Sequence, residues 1–345
     1  MAPVSTSAPK ELDEHEKAEI GLNARASKFR ATALEQLGVS HSLVDIYSDG
    51  TRMQGTVWRP KGFSPSQTYP CIVLCHGFGG KRAHLDYSYA PKFAQAGFIA
   101  ITFDYRGWGD SDGILVAAEK QPKPDPHTGL FTIQARSVRK IVDPEWQLRD
   151  IDSALAFASS EPGVDINRIG LWGSSFGGGH ALAIAGRNDP RVNAVVCQIG
   201  SINTHANWVN RHPQYRGAKA IRELSSLHAR GSVFPWDISK PAGLDGMPNL
   251  PKTVFEHTKN TIESVRNILV PTMILAAQDE ELFLNSKNSE LVYDLIKTKV
   301  PAELDYLPGK HYDAYGGESY KKGLARAIDW FTIYLGQPKI PEAKL

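Results

Sequence analysis

Short apolar runs alternate with longer, helix-length segments over most of this chain. The runs are found at residues 71–75, 169–172, 195–197 and 272–276, and a further strand is predicted at residues 302–306. A short continuous apolar run is typical of a strand that is buried on both faces. Strands that alternate with helices are joined by right-handed crossovers and lie parallel to one another. The pattern therefore predicts an α/β fold with a mostly parallel sheet.

An antiparallel hairpin is predicted ahead of this alternation. Its two strands occupy residues 42–47 and 53–58, and residues 48–50 (SDG) supply the turn. Residues 1–40 are expected to form a leader and a charged helical arm outside the core fold. The arm is expected either to pack on its own domain or to form a dimer contact or the edge of a lid.

Two long insertions interrupt the alternation, at residues 113–144 and 201–265. Both leave the sheet at the carboxyl ends of strands, where open α/β sheets bind ligands, and loops of this length in a compact domain are usually functional. We predict that the larger insertion is a cap. The chain is thus divided into the leader and arm, an α/β core of residues 41–200 and 266–337, a cap of residues 201–265 and a tail of residues 338–345.

The predicted cap contains several large aromatic residues among polar ones. Some of them are expected to form a small core of the cap itself. One or more are expected to line an apolar acyl pocket. The candidate pocket residues are Trp208, Phe234 and Trp236.

Composition and charge fit a single large domain. The chain has 345 residues, 41% of them hydrophobic, so it can bury a sizeable core. Its net charge is only +2, from 39 basic and 37 acidic residues, and no basic stripe stands out, which disfavours nucleic-acid binding. The three cysteines lie in predicted strands and are expected to be reduced, inert core thiols.

The ends of the chain bear on its location. The first residues lack the apolar segment of a signal peptide, and no stretch approaches the eighteen apolar residues of a membrane span. An intracellular, cytoplasmic protein with no membrane partner is expected. The sequence ends in Ala343-Lys344-Leu345, a variant of the S-K-L peroxisomal address, so peroxisomal import is a further expectation for a eukaryotic source.

The strongest chemical signal is the sequence LWGSSFG at residues 171–177. It runs an apolar strand into a G-x-S-x-G turn and then into a helix of small residues. This is the pattern of a nucleophile elbow, in which a serine sits on a sharp turn and the flanking glycines relieve its crowding. Ser175 is therefore the predicted nucleophile.

A glycine-rich loop, HGFGG at residues 76–80, follows the strand at residues 71–75. Such a loop can direct a backbone amide into the site. The N–H groups of Phe78 and Phe176 are predicted to form an oxyanion hole together. His76 is a possible base, but a role in ordering the loop by hydrogen bonding is favoured.

The predicted base and acid follow the last two strands. His311 lies after the strand at residues 302–306, and Asp279 is the first acidic residue after the strand at residues 272–276. We assign His311 as general base and Asp279 as the carboxylate that orients it, in the order Ser, Asp, His. Glu280 and Glu281 are close competitors for the acid, and Asp313 sits beside His311.

These motifs resemble those of the α/β-hydrolase superfamily. Besides HGFGG and GSSFG, the chain has DYRGWGDS at residues 104–111 and GKHYDAY at residues 309–315. The branch that it resembles is that of the dienelactone hydrolases and acyl-peptidase-like enzymes, including fungal secondary-metabolite hydrolases and acyl or polyketide transferases. The resemblance implies an eight-stranded, mostly parallel sheet flanked by helices. It also implies structural roles for Asp104 and Arg106. The bulky Phe176 departs from the small residue that usually follows the nucleophile.

The predicted activity is hydrolysis of a carboxylic ester, lactone or thioester through an acyl-enzyme. An acyl or polyketide transferase or a C–C bond hydrolase is the alternative, and a short-peptide peptidase is the third possibility, because fold analogy cannot separate them. The sequence has no nucleotide or flavin motif and no metal-ligand spacing, so no cofactor or metal is expected. The expected partner is a small-molecule ester or thioester, with a possible homodimer through the arm or cap.

Overall fold

The structure is a computed structural model, and it describes residues 37–139, 141–202, 252–253 and 261–336. The strands are β1 (Ser40–Ser48), β2 (Thr51–Arg59), β3 (Tyr69–Cys75), β4 (Ile99–Phe103), β5 (Ile114–Ala117), β6 (Ala135–Val138), β7 (Ile141–Val142), β8 (Val164–Ser174), β9 (Ala194–Gln198), β10 (Lys252–Thr253), β11 (Thr272–Ala277) and β12 (Ala302–Leu307). The α-helices are α1 (Arg82–Asp86), α2 (Tyr89–Gln95), α3 (Pro144–Ser160), α4 (Phe176–Ala185), α5 (Thr261–Val265), α6 (Ser289–Ile296) and α7 (Gly317–Leu335). Two 3₁₀ helices span Asn285–Lys287 and His311–Tyr315.

Eight of these strands form one sheet in the order β1-β2-β4-β3-β8-β9-β11-β12. β1 pairs antiparallel with β2, and β2 pairs antiparallel with β4. Every other pair in this sheet is parallel. The predicted mostly parallel, eight-stranded sheet is therefore confirmed. Its hairpin is also as predicted, with Ser48 paired to Thr51 around a turn at Asp49, whose φ is +46°, and Gly50.

Helices cover both faces of the sheet, and successive side chains of a strand point to opposite faces. In β3, Cys71, Val73 and Cys75 join one hydrophobic cluster, which includes side chains of α3, α4 and α6. Ile72 and Leu74 join the other, which includes side chains of α2 and α7. This two-sided burial explains why β3 is a continuous apolar run in the sequence.

The described ends of the larger insertion pack on the core. Helix α5 packs tightly on α4, since a Cβ added to Gly186 would lie 2.1 Å from the main-chain oxygen of Ser264. Val265 is fully buried in the core, and so is Ile202 at the other end of the insertion. Ile202 and Val265 thus pack with the core cluster at the two ends of the predicted cap of residues 201–265. Apart from β10, the remainder of that predicted cap lies outside the described residues, as do the tail and most of the leader and arm.

The first insertion contributes strands to two small two-stranded sheets. β5 and β6 make an antiparallel pair, and β7 pairs in parallel with β10, which belongs to the larger insertion. The two insertions are thereby joined through their main chains. Across the described ranges, no helix is both long and apolar enough to cross a membrane.

Candidate active site

Ser175 lies at a sharp turn between β8 and α4, as predicted. Its backbone has φ +54° and ψ −119°, a combination that serine rarely adopts. A Cβ on Gly173 would lie 2.1 Å from the oxygen of Gly177, and a Cβ on Gly177 would lie 2.3 Å from the oxygen of Cys75. Both glycines of the G-x-S-x-G motif are therefore required by close backbone contacts, because any side chain there would clash.

His311 is the first residue of the 3₁₀ helix after β12, and its imidazole is directed at the serine. Its Nε2 lies 3.0 Å from Oγ of Ser175. The side chain of His311 is only 1% exposed. The structure thus brings the predicted nucleophile and the predicted base within hydrogen-bonding distance of each other.

The carboxylate beside His311 belongs to Glu280 and not to Asp279. The two carboxylate oxygens of Glu280 lie 3.0 and 2.9 Å from Nδ1 of His311. The side chain of Glu280 is only 4% exposed, whereas Asp279 is exposed to solvent. The assignment of Asp279 as the orienting acid is not supported by this geometry.

The reason is that the pairing between the two chain segments continues past the end of β11. The N–H of Gln278 donates to the oxygen of Leu307 at 2.9 Å, and the N–H of Asp279 donates to the oxygen of Gly309 at 2.9 Å. Asp279 is thereby still held alongside the neighbouring segment. The first side chain free to turn toward His311 is that of Glu280.

Glu281 makes a separate contact with the same histidine. One of its carboxylate oxygens accepts the main-chain N–H of His311 at 2.8 Å. One oxygen of Glu280 also accepts the N–H of Leu282 at 3.0 Å. Two adjacent acids therefore hold His311, one at the ring and the other at the backbone. The sequence pattern marked both only as competitors for a single role.

The glycine-rich loop at residues 76–80 passes directly beside the nucleophile. A Cβ on Gly77 would lie 3.1 Å from Cβ of Ser175 and 3.7 Å from its Oγ. The rings of Phe78 and Phe176 contact each other edge to face, with centroids 5.8 Å apart. The two residues whose amides were predicted to bind an oxyanion are thus neighbours at the elbow.

His76 orders this loop in the way that the sequence favoured. Its Nδ1 lies 3.0 Å from the oxygen of Gly77, and its ring packs edge to face on Tyr105 at 4.5 Å. Burial lowers the pKa of His76 to about 4, against a smaller opposing effect of the Asp104 charge. These contacts with its own loop and with Tyr105 fit the ordering role that the sequence favoured for His76.

Asp104, as expected from its loop, is structural. Its carboxylate accepts the N–H of Arg82 at 2.7 Å and the N–H of Asp110 at 3.1 Å. Arg106 is also structural, since its Nε donates to the buried Asp150 at 2.6 Å. These contacts fix the loop at residues 104–111 and the start of α1 next to the glycine-rich loop.

The pocket residues predicted in the cap, Trp208, Phe234 and Trp236, lie outside the described residues. The described aromatic neighbours of His311 are Phe283 and Tyr312, with ring centroids 5.4 and 5.2 Å away. Neither aromatic ring was predicted from the sequence to lie beside His311. Tyr312 lies inside the GKHYDAY motif, so its adjacency to His311 was available as a signal, whereas Phe283 had none.

Thiol and metal chemistry find no support in the part of the chain described here. Cys71, Cys75 and Cys197 are free and buried. Burial raises the pKa of Cys75 and of Cys197 to about 12, which leaves both as unreactive thiols. Among the described residues, no group of three or more His, Cys, Asp and Glu side chains could hold a metal ion.

Comparison with solved structures places the fold. The crystal structure described as that of alpha/beta hydrolase GrgF from Penicillium sp. sh18 superimposes with a TM-score of 0.63. It is 22% identical in sequence, and the match covers 86% of this chain and 99% of that one. The α/β-hydrolase fold implied by the motifs is thereby confirmed.

Comparison of sequences gives relatives that are named for several activities. The family described as X-Pro dipeptidyl-peptidase (S15 family) matches residues 49–226. The chain is 35% identical to the quorum-quenching protein AidA of Acinetobacter baumannii (strain MDR-ZJ06) over 213 residues, which are 60% of each protein. It is 33% identical to the thiohydrolase apmlB of Arthrinium phaeospermum over 162 residues, 46% of this chain and 43% of that protein. It is 26% identical to the polyketide transferase grgF of Penicillium sp. over 313 residues, 83% of this chain and 95% of that protein. Together with the fold, these relatives indicate a hydrolase.

Proposed function

This chain belongs to the family described as X-Pro dipeptidyl-peptidase (S15 family), and from that membership and the geometry of the site we propose that it is a serine hydrolase of carboxylic esters, lactones or thioesters. The observation that carries the proposal is the pair of contacts on one imidazole. Nε2 of His311 lies 3.0 Å from Oγ of Ser175, and Nδ1 lies 2.9 Å from Glu280. A serine activated in this way is a general device for acyl transfer.

The first half of the reaction acylates the enzyme. Oγ of Ser175 attacks the substrate carbonyl carbon while Nε2 of His311 accepts the hydroxyl proton. Glu280 holds the proton on Nδ1 and stabilises the imidazolium that forms. The imidazolium then gives its proton to the departing alkoxide or thiolate as the C–O or C–S bond breaks. The acyl group remains on Ser175 as an ester.

The second half restores the serine. His311 takes a proton from a water molecule, whose oxygen attacks the acyl carbon, and then returns the proton to Oγ of Ser175 as the acid leaves. The backbone amides of Phe78 and Phe176 are proposed to stabilise the oxyanion in both steps. Their proposed role is supported by the loop's contact with Ser175 and by the position of Phe176 as the first residue of α4, since the first N–H groups of a helix have no partner within it.

The proposed acyl group is apolar, at least next to the scissile bond. Phe78 and Phe176 flank the serine on one side, and Phe283 stands beside the base. Phe78 and Phe283 are only half-buried, so part of each ring remains available to a ligand. Aromatic walls with a few fixed polar groups are typical of sites for small organic ligands.

A transferase remains the second proposed activity, and one comparison favours it. The relative that covers most of the chain among those compared above is named a polyketide transferase. The same residues would perform transfer if an alcohol, an amine or a carbon nucleophile of the acceptor replaced water in the second half-reaction. A peptidase is the third, in line with the description of the family.

Ser175→Ala is the decisive variant. We expect it to abolish covalent labelling by a fluorophosphonate probe and to lower hydrolysis of p-nitrophenyl butyrate by about 10⁴-fold or more, as loss of a nucleophile does in other triads. Ser159→Ala is the matched control, because that hydroxyl only donates to the oxygen of Leu155 within α3. Undiminished labelling of Ser175→Ala at any other serine would overturn the proposal.

A substrate panel separates the three activities. It consists of p-nitrophenyl esters of rising chain length, an acyl thioester, a lactone and an aminoacyl anilide. We expect the parent to prefer an ester, lactone or thioester over the anilide. Preference for the anilide would instead favour the peptidase. Faster turnover of the acyl-enzyme by added alcohols than by water would favour the transferase.

A further inference from the structure

The residue before the nucleophile is bonded to the helix that carries the base. Oγ of Ser174 lies 2.8 Å from the hydroxyl of Tyr315. Ser174 is 1% exposed, whereas the residue Tyr315 is 42% exposed, so Tyr315 directs its hydroxyl inward from the surface. Tyr315 is the last residue of the 3₁₀ helix whose first residue is His311. This contact therefore joins the nucleophile turn directly to the base-bearing helix.

Two further side chains strengthen the same junction. Nε2 of Gln198 donates to the hydroxyl of Tyr89 at 2.8 Å and lies 3.5 Å from Oγ of Ser174. The hydroxyl of Tyr89 donates to the oxygen of Ala314 at 2.9 Å. The main-chain oxygen of Gln198 accepts the N–H of Ser175 at 2.9 Å. The strained turn and the far end of the 3₁₀ helix thus share one buried network.

The opposite end of that helix is held independently. Glu281 accepts the main-chain N–H of His311 at 2.8 Å. The five residues of this 3₁₀ helix span roughly 8 Å from the first to the last, at a rise of about 2 Å per step. Attachment at both ends prevents this short helix from tilting, whereas attachment at one end alone would let the helix swing the imidazole away from Ser175. Catalytic groups need to be held within about 0.5 Å of their productive positions.

We propose that Tyr315, through its hydrogen bond to Ser174, is a positioning residue that keeps Nε2 of His311 in line with Oγ of Ser175. It touches neither the serine hydroxyl nor the imidazole in the contacts described above, and it acts through Ser174. Burial also raises the pKa of Tyr315 to about 12, so the phenol keeps its proton at any pH at which the enzyme would work. The inference rests on the proposed function.

The test uses Tyr315→Phe, Ser174→Ala and the double variant in the full chain. We expect each single variant to lower kcat for p-nitrophenyl butyrate by about 10- to 100-fold, since a small misplacement of reacting groups costs up to about 10². We expect KM to change by less than about threefold, because substrate binding is not touched. The rate of fluorophosphonate labelling should fall in parallel with kcat.

The double variant separates positioning from general damage. Both single variants remove the same bond, so the double variant should be no slower than the slower single variant. Ser174→Thr keeps the hydroxyl and should recover most of the lost activity. Tyr306→Phe is the matched control: it removes a tyrosine hydroxyl that donates to Glu290 at 2.8 Å, away from the elbow. Tyr306→Phe should lower the melting temperature about as much as Tyr315→Phe does, but it should leave kcat unchanged.

The outcomes distinguish the inference from the proposed function. If Ser175 is labelled in the parent and Tyr315→Phe retains the parental kcat and labelling rate, the positioning role is wrong while the hydrolase stands. Additive losses in the double variant would also overturn the role. If Ser175 is not labelled in the parent, the proposed function itself fails. Should Tyr315→Phe not fold, Ser174→Ala and Ser174→Thr give the same comparison.

Discussion

His311 has a contact at each nitrogen of its imidazole ring and a third contact at its main-chain N–H. Ser175 lies at Nε2, Glu280 at Nδ1 and Glu281 at the backbone. The two acids are adjacent in sequence but do different work. In the proposed mechanism Glu280 stabilises the charge and fixes the tautomer of the ring, whereas Glu281 contributes only an acceptor oxygen for the main-chain N–H. Substitutions that preserve shape but remove charge should therefore separate them.

Glu280→Gln should lower kcat/KM by about 10⁴-fold, because an amide can donate to Nδ1 and favour the wrong tautomer of His311. Glu281→Gln keeps an acceptor for the main-chain N–H of His311, and Asp279→Asn changes an exposed side chain. Both of these variants should stay within about tenfold of the parent, since Glu281→Gln retains the hydrogen-bond acceptor and the exposed Asp279 acts on the site only through screened charge. Steady-state kinetics on p-nitrophenyl butyrate make the comparison. A severe loss in Asp279→Asn with a folded, active Glu280→Gln would return the acid to Asp279.

For the individual residues of the site, the sequence indicated the residue types more reliably than the exact positions. Ser175 could be located because the glycines on both sides of it are a strict steric requirement. The acid could not be located among three neighbouring carboxylates, because its position depends on where β-type pairing with the next segment stops. The hydrogen bond from the N–H of Asp279 to the oxygen of Gly309 determines this, and it is a contact between residues thirty apart.

The short helix α1 is held to the sheet by one buried carboxylate. Asp86 accepts from the hydroxyl of Thr56 at 3.0 Å, the indole N–H of Trp58 at 2.8 Å and the hydroxyl of Thr102 at 2.6 Å. The guanidinium of Arg82 donates to it at 2.7 Å. Asp86 therefore joins α1 to β2 and β4, directly after the glycine-rich loop of the site.

Asp86→Ala should destabilise the fold by about 3–5 kcal/mol, because the buried donors of Thr56, Trp58 and Thr102 lose their acceptor. The variant also removes one of the three carboxylates that pair with the buried guanidinium of Arg82. Asp112→Ala is the matched control: that carboxylate also pairs with an arginine, Arg52, but its side chain is 54% exposed. The control should lose less than roughly 1 kcal/mol. Urea unfolding followed by circular dichroism measures both variants. Equal losses would mean that the Asp86 network contributes no more than a surface ion pair.

Strands and helices were predictable at the level of elements, whereas the limits of the insertions were not. Apolar runs at residues 71–75 and 272–276 became β3 and β11, because a strand buried on both faces must be apolar throughout. The polar insertion at residues 201–265 gave no sign that α5 at its end packs on α4. That contact depends on Gly186, at which the main chain of Ser264 approaches.

Buried titratable groups tie the stability of the whole molecule to pH, and His76 is one of them. It is 3% exposed, and burial lowers its pKa to about 4. The ordinary pKa of an unfolded histidine is about 6.5. The folded protein therefore binds a proton at His76 less readily than the unfolded chain does. Burial also lowers the pKa of His84 nearby, so the effect is shared by this corner of the fold.

The direction in which pH changes the free energy of unfolding follows from proton linkage. Between about pH 6.5 and pH 4 the unfolded chain binds a proton at residue 76 and the folded protein does not, so acid favours unfolding. The stabilisation is present in full above about pH 6.5 and is lost as the pH falls toward about 4. The whole of the difference is at most about 3 kcal/mol, at 1.36 kcal/mol per pKa unit.

His76→Asn tests this effect, because its amide can still donate to the oxygen of Gly77 but does not titrate. The variant should be less stable than the parent at pH 7.5, since a smaller side chain leaves a cavity. On acidification to pH 5 the parent should lose more stability than the variant, and the two free energies of unfolding should converge by about 1–2 kcal/mol. His127→Asn, an exposed histidine on the first insertion, is the control and should follow the parent at every pH. Urea titrations at pH 7.5, 6.0 and 5.0 give the free energies. Parallel losses in the parent and His76→Asn would show that His76 is not the group through which acid acts, and that the fold admits a proton to this site without unfolding.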